Sequence, residues 1–247
     1  MSAVEFSRVH FRIGPRTILN DLSLTVEPGE TLVLLGRSGS GKTTALRLIN
    51  GMQMPSSGEV RIHGKSTTAW DPVRLRRGIG YVIQEGGLFP HFTVERNVAL
   101  IPALENWPAD KIAARVSTLL AAVNLPADSF ARRFPRELSG GQRQRVGVAR
   151  ALAADPPILL FDEPFGALDP VTRFDLQREF LRLRAELGKT SVFVTHDVQE
   201  AMKLATRIAL LHEGSLAFLG APAEFESSTH PEARAFLDVL HEARRAQ

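Results

Sequence analysis

Several residue types and patterns are missing from the 247-residue chain, and each absence excludes a class of protein. There is no cysteine, so disulfides are excluded and the composition fits a reducing compartment. Aromatic residues make up only 7% and no dense run of lysine or arginine occurs, which argues against a nucleic-acid-binding surface. The longest apolar runs, such as Ile158–Phe161, fall far short of the roughly 20 residues that cross a bilayer, and residues 1–9 lack the apolar stretch of a secretory signal. Any membrane role is therefore predicted to be peripheral.

The apolar residues that are present fall into short runs separated by helical patterns. Val60–His63 alternates as a half-exposed antiparallel strand does. Apolar residues at helical spacing from Leu176 to Leu187, followed by Gly188, predict a helix and its end. Four other runs are typical of strands buried on both faces of a parallel sheet: Thr31–Leu35, Ile158–Phe161, Ser191–Thr195 and Ile208–Leu211. This alternation predicts an α/β domain with a mostly parallel sheet.

The stretch from Gly87 to Asp155 has a different pattern. It carries five prolines, its periodicity is helical, and it contains no run typical of a buried strand. We therefore expect a helical subdomain at 87–155, inserted into a core formed by residues 1–86 and 156–220. A short helical tail is expected at 221–247.

One glycine-rich segment predicts a phosphate-binding loop. Gly36-Arg37-Ser38-Gly39-Ser40-Gly41-Lys42-Thr43 matches G-x-x-x-x-G-K-[ST], and it lies between a predicted strand and a helical segment at Thr44–Asn50. Glycines let successive N–H groups turn inward, and the helix N-terminus adds its positive dipole end. Lys42 is expected to reach the β- and γ-phosphates of a nucleotide, and Thr43 to ligate Mg²⁺. The alternative, a glycine-rich turn with an accidental lysine, does not explain this context.

Two adjacent acids follow the apolar run Ile158–Phe161. Asp162 would hold Mg²⁺ at the carboxyl end of a strand, where ligands of such sheets bind. Glu163 could take a proton from an attacking water. Two acids after a strand are more often a solvated turn, so this interpretation depends on the phosphate loop.

Leu138-Ser139-Gly140-Gly141-Gln142 identifies a family resemblance. The segment is similar to the signature sequence of ABC ATPases, which the chain resembles over nearly its whole length. Further matches follow in the family's order: Gln84 at the Q-loop position, Ala167-Leu168-Asp169 at the D-loop and His196 at the switch histidine. Ser139 and Gln142 also form the pattern of a capping box, but that local explanation leaves Gly140 and Gly141 unexplained because glycine weakens a helix.

The resemblance implies a fold and a set of roles. The fold would be a P-loop NTPase core with a mostly parallel sheet, an N-terminal antiparallel part and an inserted helical subdomain. ATP would bind to the loop Gly36–Thr43 and to Thr44, with Mg²⁺ held by Thr43, Gln84 and Asp162. Glu163, His196 and Gln84 would be catalytic. The signature residues Ser139–Gln142, with Asp169, would complete the site of a partner copy, so that two chains enclose two ATPs.

One position departs from the family pattern. An aromatic residue that stacks on adenine usually precedes a glycine near the N-terminus, whereas Ile13 precedes Gly14 here. The departure predicts loose discrimination between purine bases.

The resemblance also suggests a biological role. Gly80–His91, with Ile83 before Gln84, together with Asn97–Pro102 and Trp107, is similar to cassettes of bacterial importers of glycine betaine, choline or related quaternary amines. Such a role implies a homodimer or paired cassette, integral membrane permease subunits, a solute-binding protein and no nucleic acid. The chain would be peripheral, on the cytoplasmic face of the plasma (inner) membrane. Alternatives are an importer of another small polar solute such as an amino acid, a soluble ABC ATPase outside transport, or a non-hydrolysing nucleotide sensor. Glu163 and His196 together disfavour the sensor.

Overall fold

The computed structural model describes residues 1–83, 87–166 and 168–245, without the side chains of 243–245. Its strands are, in chain order, β1 (Val4–Ile13), β2 (Arg16–Val26), β3 (Thr31–Leu35), β4 (Ser57–Ile62), β5 (Lys65–Ser66), β6 (Ile79–Val82), β7 (Ile158–Asp162), β8 (Thr190–Thr195), β9 (Arg207–His212) and β10 (Ser215–Gly220). Its α-helices are α1 (Lys42–Ile49), α2 (Pro72–Arg77), α3 (Val94–Leu104), α4 (Ala109–Ala122), α5 (Ala127–Phe130), α6 (Gly140–Leu152), α7 (Pro170–Leu187), α8 (Val198–Leu204), α9 (Pro222–Glu226) and α10 (Pro231–Arg245). The predicted α/β class is confirmed.

The first of two compact units comprises residues 1–76 and 190–247. It contains the antiparallel sheet β2-β1-β4-β5 and the strands β10-β9-β3-β8, in which β3 runs parallel to both β8 and β9. Every residue of β3 is buried, as its continuous apolar sequence predicts. In β2 the buried residues alternate with polar ones, and Leu22, Leu24 and Val26 face the core. The parallel strand β3 is thus buried throughout, and the antiparallel strand β2 is buried mainly on one face, as their sequences predict.

The second unit comprises residues 77–189 and contains the predicted helical stretch 87–155. Helices α3 to α6 occupy that stretch, and the part of it that the structure describes contains no strand. Strands β6 and β7 pair in parallel, with Val82 opposite Phe161. Helix α7 buries Leu176, Phe180 and Leu183 and ends at Gly188, which has φ of 58°. The exact domain boundaries stay a prediction.

Candidate functional site

The phosphate loop follows β3 directly and tolerates no side chain at two of its glycines. A Cβ on Gly36 would lie 2.4 Å from the backbone oxygen of Leu211. Gly41 caps α1 with φ of 100°, and a Cβ there would lie 2.5 Å from Leu19 Cδ2. Only glycine fits such close approaches and such a φ, so the backbone path of the loop depends on glycine at both positions. Gly41 at the N-cap position has no side chain with which to cap α1.

Lys42 lies under the same loop. Its side chain is buried, and its Nζ donates to the backbone oxygens of Gly36 at 2.7 Å and Arg37 at 2.9 Å. Ser40 is also buried, and its Oγ has no hydrogen-bond partner in the described structure. A buried ammonium and an unpartnered buried hydroxyl beside an uncapped helix start form an anion site, because each lowers the free energy of a bound phosphate oxygen. The predicted residues of the loop are therefore brought together.

His196 leaves the sheet beside the phosphate loop. Leu35 pairs with Thr195 in the β3–β8 register, so Gly36 and His196 are the next residues at the same edge. His196 is exposed at this edge. Thr195 fixes the turn that follows, since its Oγ donates to Glu200 Oε2 at 2.7 Å and accepts from the N–H of Asp197 at 3.1 Å.

The two acids end β7 in the second unit. Asp162 is 8% exposed, and its Oδ2 accepts a hydrogen bond from the Tyr81 hydroxyl at 3.2 Å. Sequence reasoning missed Tyr81, although it is the chain's single tyrosine and lies three residues before Gln84. Gln84 and Ala167, both named in the predicted site, lie outside the described residues.

Glu163 has an unusual backbone conformation. Its φ is 45°, in the left-handed region that residues with a side chain rarely adopt. Its carbonyl accepts from the N–H of Gly166 at 3.2 Å, which closes the turn after β7. Seven other described residues with a side chain also have a positive φ, so the conformation defines the turn after β7. The proposed role of Glu163 rests on its position directly after Asp162.

The start of α6 has the predicted capping box. Ser139 Oγ accepts from the N–H of Gln142 at 3.2 Å, and Gln142 Oε1 accepts from the N–H of Ser139 at 2.9 Å. The Gln142 side chain is thus used within its own helix.

The two signature glycines differ in their surroundings. A Cβ on Gly141 would lie 2.4 Å from Thr172 Cγ2 in α7, so Gly141 has a packing reason. A Cβ on Gly140 would meet nothing closer than 3.9 Å, and Gly140 is exposed. The packing of the described residues therefore gives no reason for a glycine at position 140.

Asp169, predicted at the D-loop, caps α7. Its Oδ1 accepts from the N–H of Thr172 at 3.0 Å. Hydrogen bonds from the Thr172 side chain and backbone lower the pKa of this carboxyl, so Asp169 is charged at neutral pH. Because Thr172 also contacts Gly141, the starts of α6 and α7 share one residue.

A short aromatic cluster precedes α3. Phe89 is 41% exposed, and its ring lies 5.4 Å from that of Phe92, which is 4.6 Å from His91. Asn97 is fully buried and holds this segment. Its Oδ1 accepts from Phe89 N–H at 2.8 Å, and its Nδ2 donates to the carbonyls of Phe89, Phe92 and Thr93. The sequence pointed to Asn97 only through the family resemblance. Its polar side chain on the buried face of α3 could have indicated a structural hydrogen-bonding role.

Comparison with known proteins decides the family. Residues 19–166 match a family model described as ABC transporter. The chain belongs to this family. Its fold is that of ATP-binding cassettes: a dimeric post-hydrolysis cassette, MJ0796 bound to ADP and Pi, matches with a TM-score of 0.79 and 35% identity over 89% of this chain and 98% of that one.

Relatives of this ABC chain include transport proteins. The glycine betaine/carnitine/choline transport ATP-binding protein OpuCA of Bacillus subtilis is 50% identical over 85% of this chain and 55% of its own length. The glycine betaine uptake system ATP-binding protein YehX of Escherichia coli is 48% identical over 89% of this chain and 71% of its own. The chain thus spans little more than half the length of the first relative. In the described residues no helix is long and apolar enough to cross a membrane.

Proposed function

We propose that the chain binds and hydrolyses ATP. The buried Lys42 ammonium, beside an uncapped helix start and the unpartnered Ser40 hydroxyl, carries this proposal. Lys42 and the loop amides from Gly36 to Thr44 bind the phosphates and neutralise charge that develops on them. ADP and Pi in the related cassette are the products of this reaction.

The site residues also suit a bound Mg²⁺. Thr43 and Asp162 offer a hydroxyl and a carboxylate, the oxygen donors that Mg²⁺ prefers. Within the described ranges no group of three or more His, Cys, Asp or Glu could hold a metal by itself, which fits an ion that keeps waters and takes phosphate oxygens. The metal would supply charge neutralisation at the phosphates, with Gln84 as a further ligand by resemblance.

Glu163 is the proposed general base. It accepts a proton from water as the water oxygen bonds to the γ-phosphorus. The bond from that phosphorus to the β–γ bridging oxygen breaks, and ADP leaves with the electron pair. His196 orients the water and contacts the γ-phosphate. Ser139–Gln142 and Asp169 serve the nucleotide of a partner copy, so the working unit is a homodimer or paired cassette.

Substitution at Glu163 tests the chemistry. Glu163→Gln should keep ATP binding and slow hydrolysis at least about 100-fold, the effect of losing a positioned base. Glu186→Gln, the same change at an exposed acid of α7, is the matched control and should hydrolyse at the parent rate. Parent turnover in Glu163→Gln would remove Glu163 from the mechanism.

We further propose that the chain drives import of a quaternary amine such as glycine betaine or choline. The relatives OpuCA, named for glycine betaine, carnitine and choline transport, and YehX, named for glycine betaine uptake, support this. Permease subunits and a solute-binding protein would complete the importer at the cytoplasmic face of the inner membrane. The aromatic cluster Phe89–Phe92 is the proposed permease contact. The Phe89 side chain is exposed and apolar, and its backbone is held by hydrogen bonds to the buried Asn97, which suits a protein interface.

A second solute class has support of its own. The sulfate/thiosulfate import ATP-binding protein CysA of Synechococcus elongatus is 43% identical over 96% of this chain and 68% of its own length. Uptake of labelled betaine, choline and sulfate in cells with and without the chain separates the two. Loss of sulfate uptake alone would overturn the amine proposal and leave the importer ATPase.

Coupling is tested at the permease contact. Phe89→Asp should abolish uptake while basal ATP hydrolysis stays near the parent rate. Val239→Asp, at an exposed apolar position of α10, is the control and should support normal uptake. Equal loss of uptake and hydrolysis in Phe89→Asp would show that Phe89 is core packing.

A further inference from the structure

The phosphate loop has a charged contact with a distant part of the first unit. Arg37 Nε lies 2.7 Å from Glu232 Oε1, and the two residues are 195 positions apart in the chain. The Arg37 side chain is 67% exposed, whereas that of Glu232 is 12% exposed. The other oxygen of Glu232 lies 3.5 Å from His212 Nδ1, at the end of β9. Because Glu232 is the more buried partner, we infer that its carboxylate restrains the exposed Arg37 guanidinium.

Packing of α10 fixes Glu232. Ala233, Leu237 and Leu240 are buried, and α10 packs against α8 and β10. Glu232 lies in the first turn of α10, where a negative charge is stabilised by the helix dipole. Its backbone N–H donates to His230 Nδ1 at 3.2 Å. The packing of α10 thus sets the position of the carboxylate.

Arg37 connects this carboxylate to the catalytic lysine. Its carbonyl oxygen accepts from Lys42 Nζ at 2.9 Å and from the N–H of Ser40 at 3.2 Å. The side chain of residue 37 is held by α10 while its backbone holds two groups of the anion site. A shift of residue 37 would move both.

We propose that Glu232 is a positioning residue for the nucleotide loop. By holding Arg37 it keeps residues 37 to 42 in the phosphate-binding conformation before the nucleotide arrives. This inference rests on the proposed ATP binding. Glu232 does not touch the nucleotide, so its loss should change nucleotide affinity and leave the rate of the chemical step unchanged.

A double-mutant cycle tests the proposal. Glu232→Gln should weaken Mg-ATP binding and raise KM about two- to fivefold, with kcat unchanged, which is the scale of coupling through a partly exposed ion pair. Arg37→Gln should weaken binding by a similar factor. Because both changes break one contact, the double variant should be no weaker than either single variant. Asp238→Asn, an equal charge change at an exposed position of α10, should bind as the parent does.

Three outcomes would overturn the inference. Tighter binding in Glu232→Gln would mean that the carboxylate acts only by repelling phosphate. A fall in Tm with unchanged Kd would mean that it only anchors α10. Additive effects in the double variant would separate Glu232 from Arg37. If the parent chain binds no nucleotide, the proposed function fails instead, which is a different result.

Discussion

Two helices of this molecule begin at glycine-rich segments, and they begin in opposite ways. Helix α1 starts after Gly41, whose φ is 100° and which has no side chain to cap the helix. Helix α6 starts at Ser139 with a complete capping box. An uncapped start leaves N–H groups for an external acceptor, whereas a capped one is satisfied within the chain. The α1 start therefore suits a bound anion, whereas at the α6 start the N–H groups of Ser139 and Gln142 already have side-chain acceptors.

The difference extends to the lysine and the glycines. Under the first start lies the buried side chain of Lys42, whose Nζ donates to two loop carbonyls. At the second start, Thr172 occupies the space where a Cβ on Gly141 would lie. Among the described residues, the space beside Gly140 is empty within 3.9 Å. The comparison predicts that the phosphate loop controls binding of the chain's own nucleotide. The α6 start should control only the step that a partner copy completes.

The largest expected effect on nucleotide binding is at Lys42. Lys42→Met removes the buried cation and should weaken Mg-ATP binding about 10- to 100-fold, the range of a hydrogen bond to a charged group. Ser139→Ala removes the cap of α6 and should cost about 1 kcal/mol of stability, with the Mg-ATP affinity of the unpaired chain unchanged. Titration with Mg-ATP and thermal unfolding of both variants measure this contrast. Weak nucleotide binding in Ser139→Ala would show that the two starts are not independent.

The signature glycines should separate folding from turnover. Gly140→Ala has room for its Cβ and should fold at least as stably as the parent, since alanine favours a helix. Its hydrolysis should fall at least about tenfold if the methyl blocks a phosphate contact. Gly141→Ala should instead lower stability by about 1–3 kcal/mol through overpacking.

A second substitution serves as control for the glycine pair. Thr172→Ser removes the Cγ2 atom that a Cβ on residue 141 would meet. The Gly141→Ala, Thr172→Ser double variant should therefore regain most of the lost stability. Parent-like hydrolysis in Gly140→Ala would contradict the ligand explanation.

The sequence predicted the two helix starts, but it did not predict the distant residues that contact the site. Glycines, a lysine and a capping box form contiguous patterns whose local physics is independent of distant residues. The strands Thr31–Leu35 and Thr190–Thr195 were predicted within a residue because fully buried strands have continuous apolar sequences. Such features can be predicted from neighbouring residues alone.

Contacts between distant segments could not be predicted in the same way. Glu232 is 195 residues from Arg37, and nothing in an isolated Glu distinguishes it from other surface acids. Tyr81 meets Asp162 only because β6 and β7 pair in one particular register. Such contacts depend on tertiary register, which a single sequence does not encode locally.

A smaller effect is expected at Tyr81. Tyr81→Phe removes the hydroxyl that donates to Asp162 and should raise the Mg²⁺ concentration for half-maximal hydrolysis about tenfold, the lower end for a residue that orients a metal ligand. At saturating Mg²⁺ the rate should return to near the parent value. A rate loss that Mg²⁺ does not restore would assign Tyr81 to packing rather than to the metal.

The smallest effect concerns the base of the nucleotide. Ile13 is 59% exposed at the end of β1 and offers no aromatic face, so ATP and GTP should bind within about 1 kcal/mol of each other. Ile13→Tyr should tighten both nucleotides by a similar factor, because every base presents a π-face for stacking. Parallel titrations of parent and variant with ATP and GTP measure this. A strong preference of the parent for ATP would instead assign base recognition to another residue, with the half-buried Phe11 as the first to substitute.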